Sequence, residues 1–359
     1  MGGRVEYRRL GRTGVRVSSL CLGAMGFGGW ANDDRADAES IIHRAIDAGV
    51  NFIDTADAYS FGESEEIVGR ALGGGLRDDV VLATKGYFPT EGGLNHGGLS
   101  RRWLTRAVEN SLRRLDTDHI DLYQVHRLDP TVDLEETLAV LTDLQRAGKI
   151  RYFGSSSFPA HKIVEAQWVA ERRGLARYVT EQPRYSILAR GIEADVLPVA
   201  QQFDLGVLTW SPLANGWLTG AFRRGVEFPQ TNRAGRLPEA FDMSRAENQL
   251  KLDRVEALVE LADQAGLTLI QLALAFVVGH LGVTSAIIGP RTHDHLDSQL
   301  AAAGVILSDD VLDRIDAIVP PGTVGPVDGG FAPEQLVSPV LRRRPPAGEA
   351  NPVTWTYNR

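Results

Sequence analysis

Four side chains at the ends of short apolar runs could do chemistry together. Asn51-Phe52-Ile53 runs into Asp54, with Tyr59 five residues further on, Val80 to Thr84 runs into Lys85, and Ile120 to Val125 runs into His126. Burying an unpaired charge costs several kcal/mol, so an apolar strand that stops on a charge marks a place where that charge meets a partner. As parallel neighbours these strands would bring all four groups to one pocket. A phenol with an ordinary pKa of about 10 is a poor proton donor near neutrality. Lys85 beside Tyr59 is expected to lower that value, and Asp54 to keep the ammonium charged and oriented. His126 adds a hydrogen bond to a substrate oxygen. Such a set polarises a carbonyl and protonates the resulting alkoxide, and the carbon end of the reaction then needs a hydride borrowed from a nicotinamide. Taken singly, each residue has a structural alternative: an ion pair of the barrel for Asp54 and Lys85, a satisfied core histidine for His126, a loop aromatic for Tyr59. Four matched groups on three consecutive strand ends are harder to explain that way. His293 and His295 open a helix two residues apart with no carboxylate or cysteine cluster beside them, so no metal site is expected.

The elements that position these groups follow from the rest of the chain. With 359 residues, 43% hydrophobic and 23% charged, it can bury a full core as two ordinary domains or one large barrel. A net charge of -8 argues against a general nucleic-acid or anionic-membrane surface. The single cysteine, Cys21, permits no internal disulfide and reads as a small buried strand residue. The first ten residues lack an apolar targeting core and no window approaches a membrane span, which leads us to expect a cytoplasmic protein.

Tyr7 to Leu10 and Val15 to Ser18 read as a hairpin across Gly11-Arg12-Thr13-Gly14. Ser19 to Gly23 then reads as a strand opening into Met25-Gly26-Phe27-Gly28-Gly29-Trp30, whose glycine spacing is not G-x-G-x-x-G, so a Rossmann fingerprint is rejected. Helices and strands alternate from there, with Ser64 expected to cap the helix that ends at Leu72. Further strands are expected at Ile150 to Ser156, Tyr178 to Gln182, Gly206 to Trp210 and Ser285 to Gly289. Eight strands alternating with helices, undivided by a linker, predict a (β/α)8 barrel over 1–319 with the first hairpin plugging its N-terminal mouth. Residues 320–359 form a tail rich in Gly and Pro containing Arg342-Arg343-Arg344. Val353, Trp355 and Tyr357 suggest that this tail docks on the barrel or on a second subunit of a homo-oligomer.

Asp54-Thr55-Ala56-x-x-Tyr59, followed by Gly62-Glu63-Ser64-Glu65, Thr84-Lys85 and Val125-His126, closely resembles the aldo-keto reductase superfamily, particularly its bacterial and potassium-channel β-subunit-like branches. The resemblance spans Tyr7 to Val319. It implies a (β/α)8 barrel that binds NADPH without a Rossmann fold, with Tyr59 as proton donor and Asp54, Lys85 and His126 completing a tetrad. It also implies a cofactor site: Gly23 and Met25 beside Asp54, Ser156 and Gln182 on the carboxamide, Trp210 stacked on the nicotinamide, and Ser211, Leu213, Gly216 and Leu218 in a loop over the pyrophosphate. Gly289 and Arg291 lead into a helix suited to phosphate, with Arg291 on the 2′-phosphate and His295 and Gln299 further along. Ser157 stands where the family usually has asparagine. Ala221 stands where lysine is often found, and Arg233 is expected to cover that charge.

Met25, Phe27, Trp30, Tyr87, Phe88 and Arg127 are expected around the pocket mouth. They make an aromatic wall with one cation, suited to a hydrophobic carbonyl compound or a sugar. Two further classes compete with a reductase: a nicotinamide-sensing regulatory subunit like the channel β-subunits, and a barrel epimerase or lyase with no net redox change.

Overall fold

A computed structural model of the protein describes residues 5–90, 92–228, 235 and 237–323. Strands β1 (Tyr7–Arg9) and β2 (Arg16–Ser18) form an antiparallel hairpin. Eight parallel strands follow: β3 (Leu20–Gly23), β4 (Phe52–Asp54), β5 (Val81–Gly86), β6 (Ile120–Val125), β7 (Ile150–Ser156), β8 (Thr180–Gln182), β9 (Gly206–Thr209) and β10 (Ser285–Ile288). They close in sequence order, β10 pairing back onto β3 with Ile288 opposite Leu22. Between them run α1 (Arg35–Asp47), α2 (Glu63–Ala71), α3 (Arg101–Arg114), α4 (Leu134–Arg146), α5 (Ala160–Arg173) and α6 (Val196–Gln202). The helices α7 (Ala246–Gln264) and α8 (Leu269–Gly279) precede β10, and α9 (His293–Leu300) and α10 (Asp309–Ile318) follow it. The fold is the expected (β/α)8 barrel.

Alternation along the strands divides the core in two. Outward residues such as Ile53, Leu82, Tyr123, Phe153 and Val207 pack against the helices. Inward Cys21, Phe52, Ala83, Leu122 and Leu208 form a separate cluster with Leu10 and Val17 of the hairpin segment, which therefore plugs the N-terminal mouth. Gly11 lets it fit closely: a Cβ there would lie 2.5 Å from the Gly206 nitrogen, and its φ of 54° suits glycine. Arg12 donates to the Tyr178 carbonyl at 2.9 Å.

The expected cap of α2 is corrected. Gly62, with φ of 100°, occupies the cap position. Ser64 is the second residue of the helix and fully buried, donating to the Ala24 carbonyl at 2.7 Å and lying 2.9 Å from the Thr55 hydroxyl. Among the described residues no single helix is long and apolar enough to cross a membrane. The described chain leaves α10 through Thr323, whose carbonyl accepts from the Arg190 amide at 2.8 Å. Arg233, Arg342 to Arg344, Val353, Trp355 and Tyr357 lie outside the described residues.

Candidate active site

The inward column that begins apolar ends polar. Phe52 is followed two residues later by Asp54, Ala83 by Lys85, and Leu122 by Gln124 and then His126, so the same side of each strand delivers the polar groups to the C-terminal mouth. Lys85 donates to Asp54 Oδ2 at 2.5 Å and to the Thr55 carbonyl at 2.7 Å. The other oxygen, Asp54 Oδ1, accepts from Gln182 Nε2 at 2.8 Å and Gln124 Nε2 at 3.2 Å. Both ions are almost wholly buried and paired with each other, the condition under which a buried pair is tolerated.

Tyr59 follows β4 on a turn in which Ser60 and Phe61 take φ of 45° and 55°, a conformation that costs non-glycine residues on the order of 1 kcal/mol. Ser60 Oγ holds the turn by donating to the Phe27 carbonyl at 3.3 Å and accepting from the Trp30 amide at 3.2 Å. The Tyr59 ring centroid lies 4.8 Å from Lys85 Nζ and 5.8 Å from the His126 ring. Thus the structure brings Asp54, Lys85, Tyr59 and His126 together.

Their electrostatics differ from the expectation at one point. Burial raises the Tyr59 phenol above its ordinary value and outweighs the opposing pull of Lys85, so the group stays protonated. Burial alone would depress Lys85, but Asp54 and Tyr59 hold it above its usual range. Burial, with the positive charges of Lys85 and Arg127, pushes His126 well below its usual value, leaving a neutral imidazole. A protonated phenol and a neutral imidazole on the rim can both donate to a carbonyl oxygen.

Around them, Trp30 lies 6.0 Å from Tyr59, Phe88 lies 5.0 Å from His126, and Tyr87 lies 5.1 Å from Phe88. Arg127 stands 5.9 Å from the Phe88 ring and donates to the His126 carbonyl at 2.7 Å. Met25 is half-buried in the turn Ala24–Gly26. Phe27 does not line the mouth: its ring is 0% exposed in the outer core, because the glycine-rich loop folds back with Gly28 donating to the Asn32 carbonyl.

The residues expected around a cofactor lie along the arc from β7 to α9. Ser156 Oγ donates to the Gln182 carbonyl at 3.0 Å, and the Gln182 amide is engaged by Asp54. Trp210 is half-buried just beyond β9, and Ser211, Ala214, Asn215, Gly216 and Gly220 in the loop after it all have positive φ. The loop closes on itself: the Ala214 and Gly216 amides donate to the Ser211 and Leu213 carbonyls at 2.9 Å, and the Asn215 amide donates to Ser211 Oγ at 3.1 Å. Leu213 is half-buried there, whereas Leu218 is fully buried, so its side chain is core. Beside Leu218, Trp217 stacks on Phe222 at 4.9 Å and Phe241 at 5.7 Å, anchoring the loop.

Gly23 ends β3 with no room for a side chain, since a Cβ would meet Ile287 Cγ2 at 2.6 Å. Gly289, beyond β10, faces open space. Arg291 precedes Thr292, which caps α9; His295 is exposed; Gln299 is buried with no partner on Oε1. Among the described residues no group of three or more His, Cys, Asp or Glu side chains is arranged to hold a metal ion.

Gln124 is the site residue that sequence reasoning missed. The signal was present: it is a polar residue inside an apolar strand, on the same face as His126.

A parallel barrel with an ion pair, a phenol and an imidazole gathered at the C-terminal ends of its strands belongs to the class of (β/α)8 enzymes. Residues 19–320 match the model of the Aldo/keto reductase family, and the chain belongs to that family. It is 39% identical over 340 residues to the uncharacterized oxidoreductase YrpG of Bacillus subtilis (strain 168), covering 92% of this chain and 99% of that one. A probable voltage-gated potassium channel subunit beta of Oryza sativa subsp. japonica is 36% identical, covering 88% and 97%. The versiconal hemiacetal acetate reductase of Aspergillus parasiticus is 33% identical, covering 90% and 99%. Membership of this family, with relatives named as oxidoreductases, supports an oxidoreductase that acts on carbonyl groups.

Proposed function

We propose that the protein is an NADPH-dependent reductase that converts an aldehyde or ketone to an alcohol, with Tyr59 as the proton donor. The observation that carries this reading is the placement of the Tyr59 ring between Lys85 and His126 at the C-terminal end of the barrel. A bound nicotinamide would supply the hydride. His126 orients the carbonyl oxygen through a ring N–H. Tyr59 passes its phenolic proton to that oxygen as negative charge develops there, and the Lys85 ammonium, held by Asp54, stabilises the phenolate left behind.

The surrounding residues fit a nicotinamide dinucleotide. The half-buried Trp210 ring offers a stacking face, and a Cβ at Gly289 would meet nothing within 4 Å, two residues before Arg291 and the start of α9. The unpartnered Gln299 Oε1 is suited to an amine of the adenine end. Arg291 favours the 2′-phosphate of NADPH. Trp30, Tyr87 and Phe88 suit a hydrophobic carbonyl compound or a sugar that stacks on a ring.

A second reading, a nicotinamide-sensing regulatory subunit with little turnover, is supported by the relatives named as channel β-subunits. Fluorescence titration with NADPH and NADH, followed by NADPH consumption over a panel of aldehydes and ketones, separates the two. Tight NADPH binding with turnover supports the reductase. Binding without turnover on any carbonyl moves the assignment to the sensor, and no binding of either cofactor overturns both.

A further inference from the structure

The turn after β7 contains a hydroxyl that joins three strand ends. Ser157 has φ of 57°, left-handed backbone that a residue with a Cβ adopts at a cost. Its amide donates to the Gln182 carbonyl at 3.1 Å. Its Oγ accepts from Arg127 Nη1 at 3.2 Å on the β6 side and from Trp210 Nε1 at 3.3 Å on the β9 side. The same Arg127 Nη1 donates to the His126 carbonyl. An indole N–H and a guanidinium are donors only, so a group bridging them must accept twice, and a serine oxygen with two lone pairs does this with few atoms.

We propose that Ser157 is a positioning residue: its hydroxyl pins the Trp210 ring to the Arg127–His126 end of β6, and so sets the face on which a planar nicotinamide stacks relative to His126 and Tyr59. The proposal rests on the nicotinamide reading above. An indole anchored at its N–H has lost the freedom to rotate about its side-chain bonds before the ligand arrives, so less ordering remains to oppose binding. The strained backbone at Ser157 is consistent with a side chain retained for its oxygen, since glycine would hold the same turn without strain.

That contrast supplies the test. Ser157→Gly keeps the left-handed turn and deletes only the hydroxymethyl group. Trp210→Phe keeps an aromatic face and deletes only the indole N–H among its hydrogen-bonding groups. The expected result is that Ser157→Gly melts at or above the wild-type temperature yet binds NADPH about 10-fold more weakly by titration calorimetry, in line with loss of an ordinary pair of hydrogen bonds. With 5-fluorotryptophan incorporated, the Trp210 fluorine resonance, assigned by its loss in Trp210→Phe, should shift or broaden in Ser157→Gly before any cofactor is added. The double variant should bind no more weakly than the weaker single variant, because both remove one link.

Unchanged NADPH affinity in Ser157→Gly, or an unmoved Trp210 resonance, overturns the positioning role while leaving the reductase reading intact. Additive losses in the double variant overturn it as well. A wild-type protein that binds neither nicotinamide cofactor overturns the function reading first, and this role with it.

Discussion

The two ends of the barrel are built from the same strands and do opposite things. At the N-terminal end, Cys21, Phe52, Ala83, Leu122 and Leu208 fill the interior and Leu10 and Val17 seal it. Two residues further along, the column carries Asp54, Lys85 and Gln124, with Gln182 reaching in from β8. The first layer removes apolar surface from water and stabilises the fold. The second places ions and amides where each must be satisfied by another, which contributes little net stability but fixes geometry. The division shows that a barrel strand can supply folding energy at one end and chemistry at the other, with a repeat of two residues between the roles.

Substitutions at either end test that division. The largest effect is expected for Tyr59→Phe, which should lower carbonyl reduction by about 10^2- to 10^4-fold while the melting temperature and NADPH affinity stay near wild type. Steady-state NADPH oxidation and a thermal melt measure both, and near-normal turnover would remove Tyr59 from the chemistry. Phe52→Ala is the converse. Emptying the lower layer should cost about 3–5 kcal/mol in urea unfolding, with kcat unchanged in the molecules that remain folded. A large fall in kcat at full folding would mean that the two layers are not separate.

The polar end also carries a stability cost that pH reveals. Glu181, on the outer side of β8, accepts from Ser155 Oγ at 2.5 Å and from the Phe158 amide at 3.1 Å, and burial pushes its carboxyl up from 4.5 to about 7. The native state therefore holds a proton that the unfolded chain has released. Its contribution is greatest below about pH 4.5, falls as pH rises through about 7, and then levels off; the loss is on the order of 3 kcal/mol. Glu181→Gln should flatten that part of the stability profile, and an unchanged slope in urea melts between pH 5 and 8 would assign it to other groups. The smallest effect is expected furthest from the layers. Arg291→Ala should weaken NADPH by about 10-fold and leave NADH nearly untouched, and equal losses for both would mean that Arg291 does not read the 2′-phosphate.

The strand ends were readable because Asp54, Lys85 and His126 each interrupt an apolar run, a one-dimensional signal. The hairpin was readable from its turn, and the barrel from the count of alternating elements. Other features depended on distance. Ser64 has the residue type of a helix cap, yet it is buried beneath the Ala24 turn and does other work. Phe27 sits among glycines that suggest an exposed loop, but the loop folds inward and buries the ring. Gln182 has its amide turned to Asp54 across the barrel, a partner 128 residues away.

The repeating period, the eight strands, the plug and the types of group delivered at each strand end are all legible along the chain, since these follow from alternation and from the high cost of burying unpaired charge. The folded structure was needed to see that Gln182 reaches Asp54 across the barrel, that the Tyr59 phenol is raised instead of lowered, and that Ser157 links Arg127 to Trp210. Those outcomes depend on desolvation and on contacts between distant segments, and neither quantity is encoded by spacing along the chain.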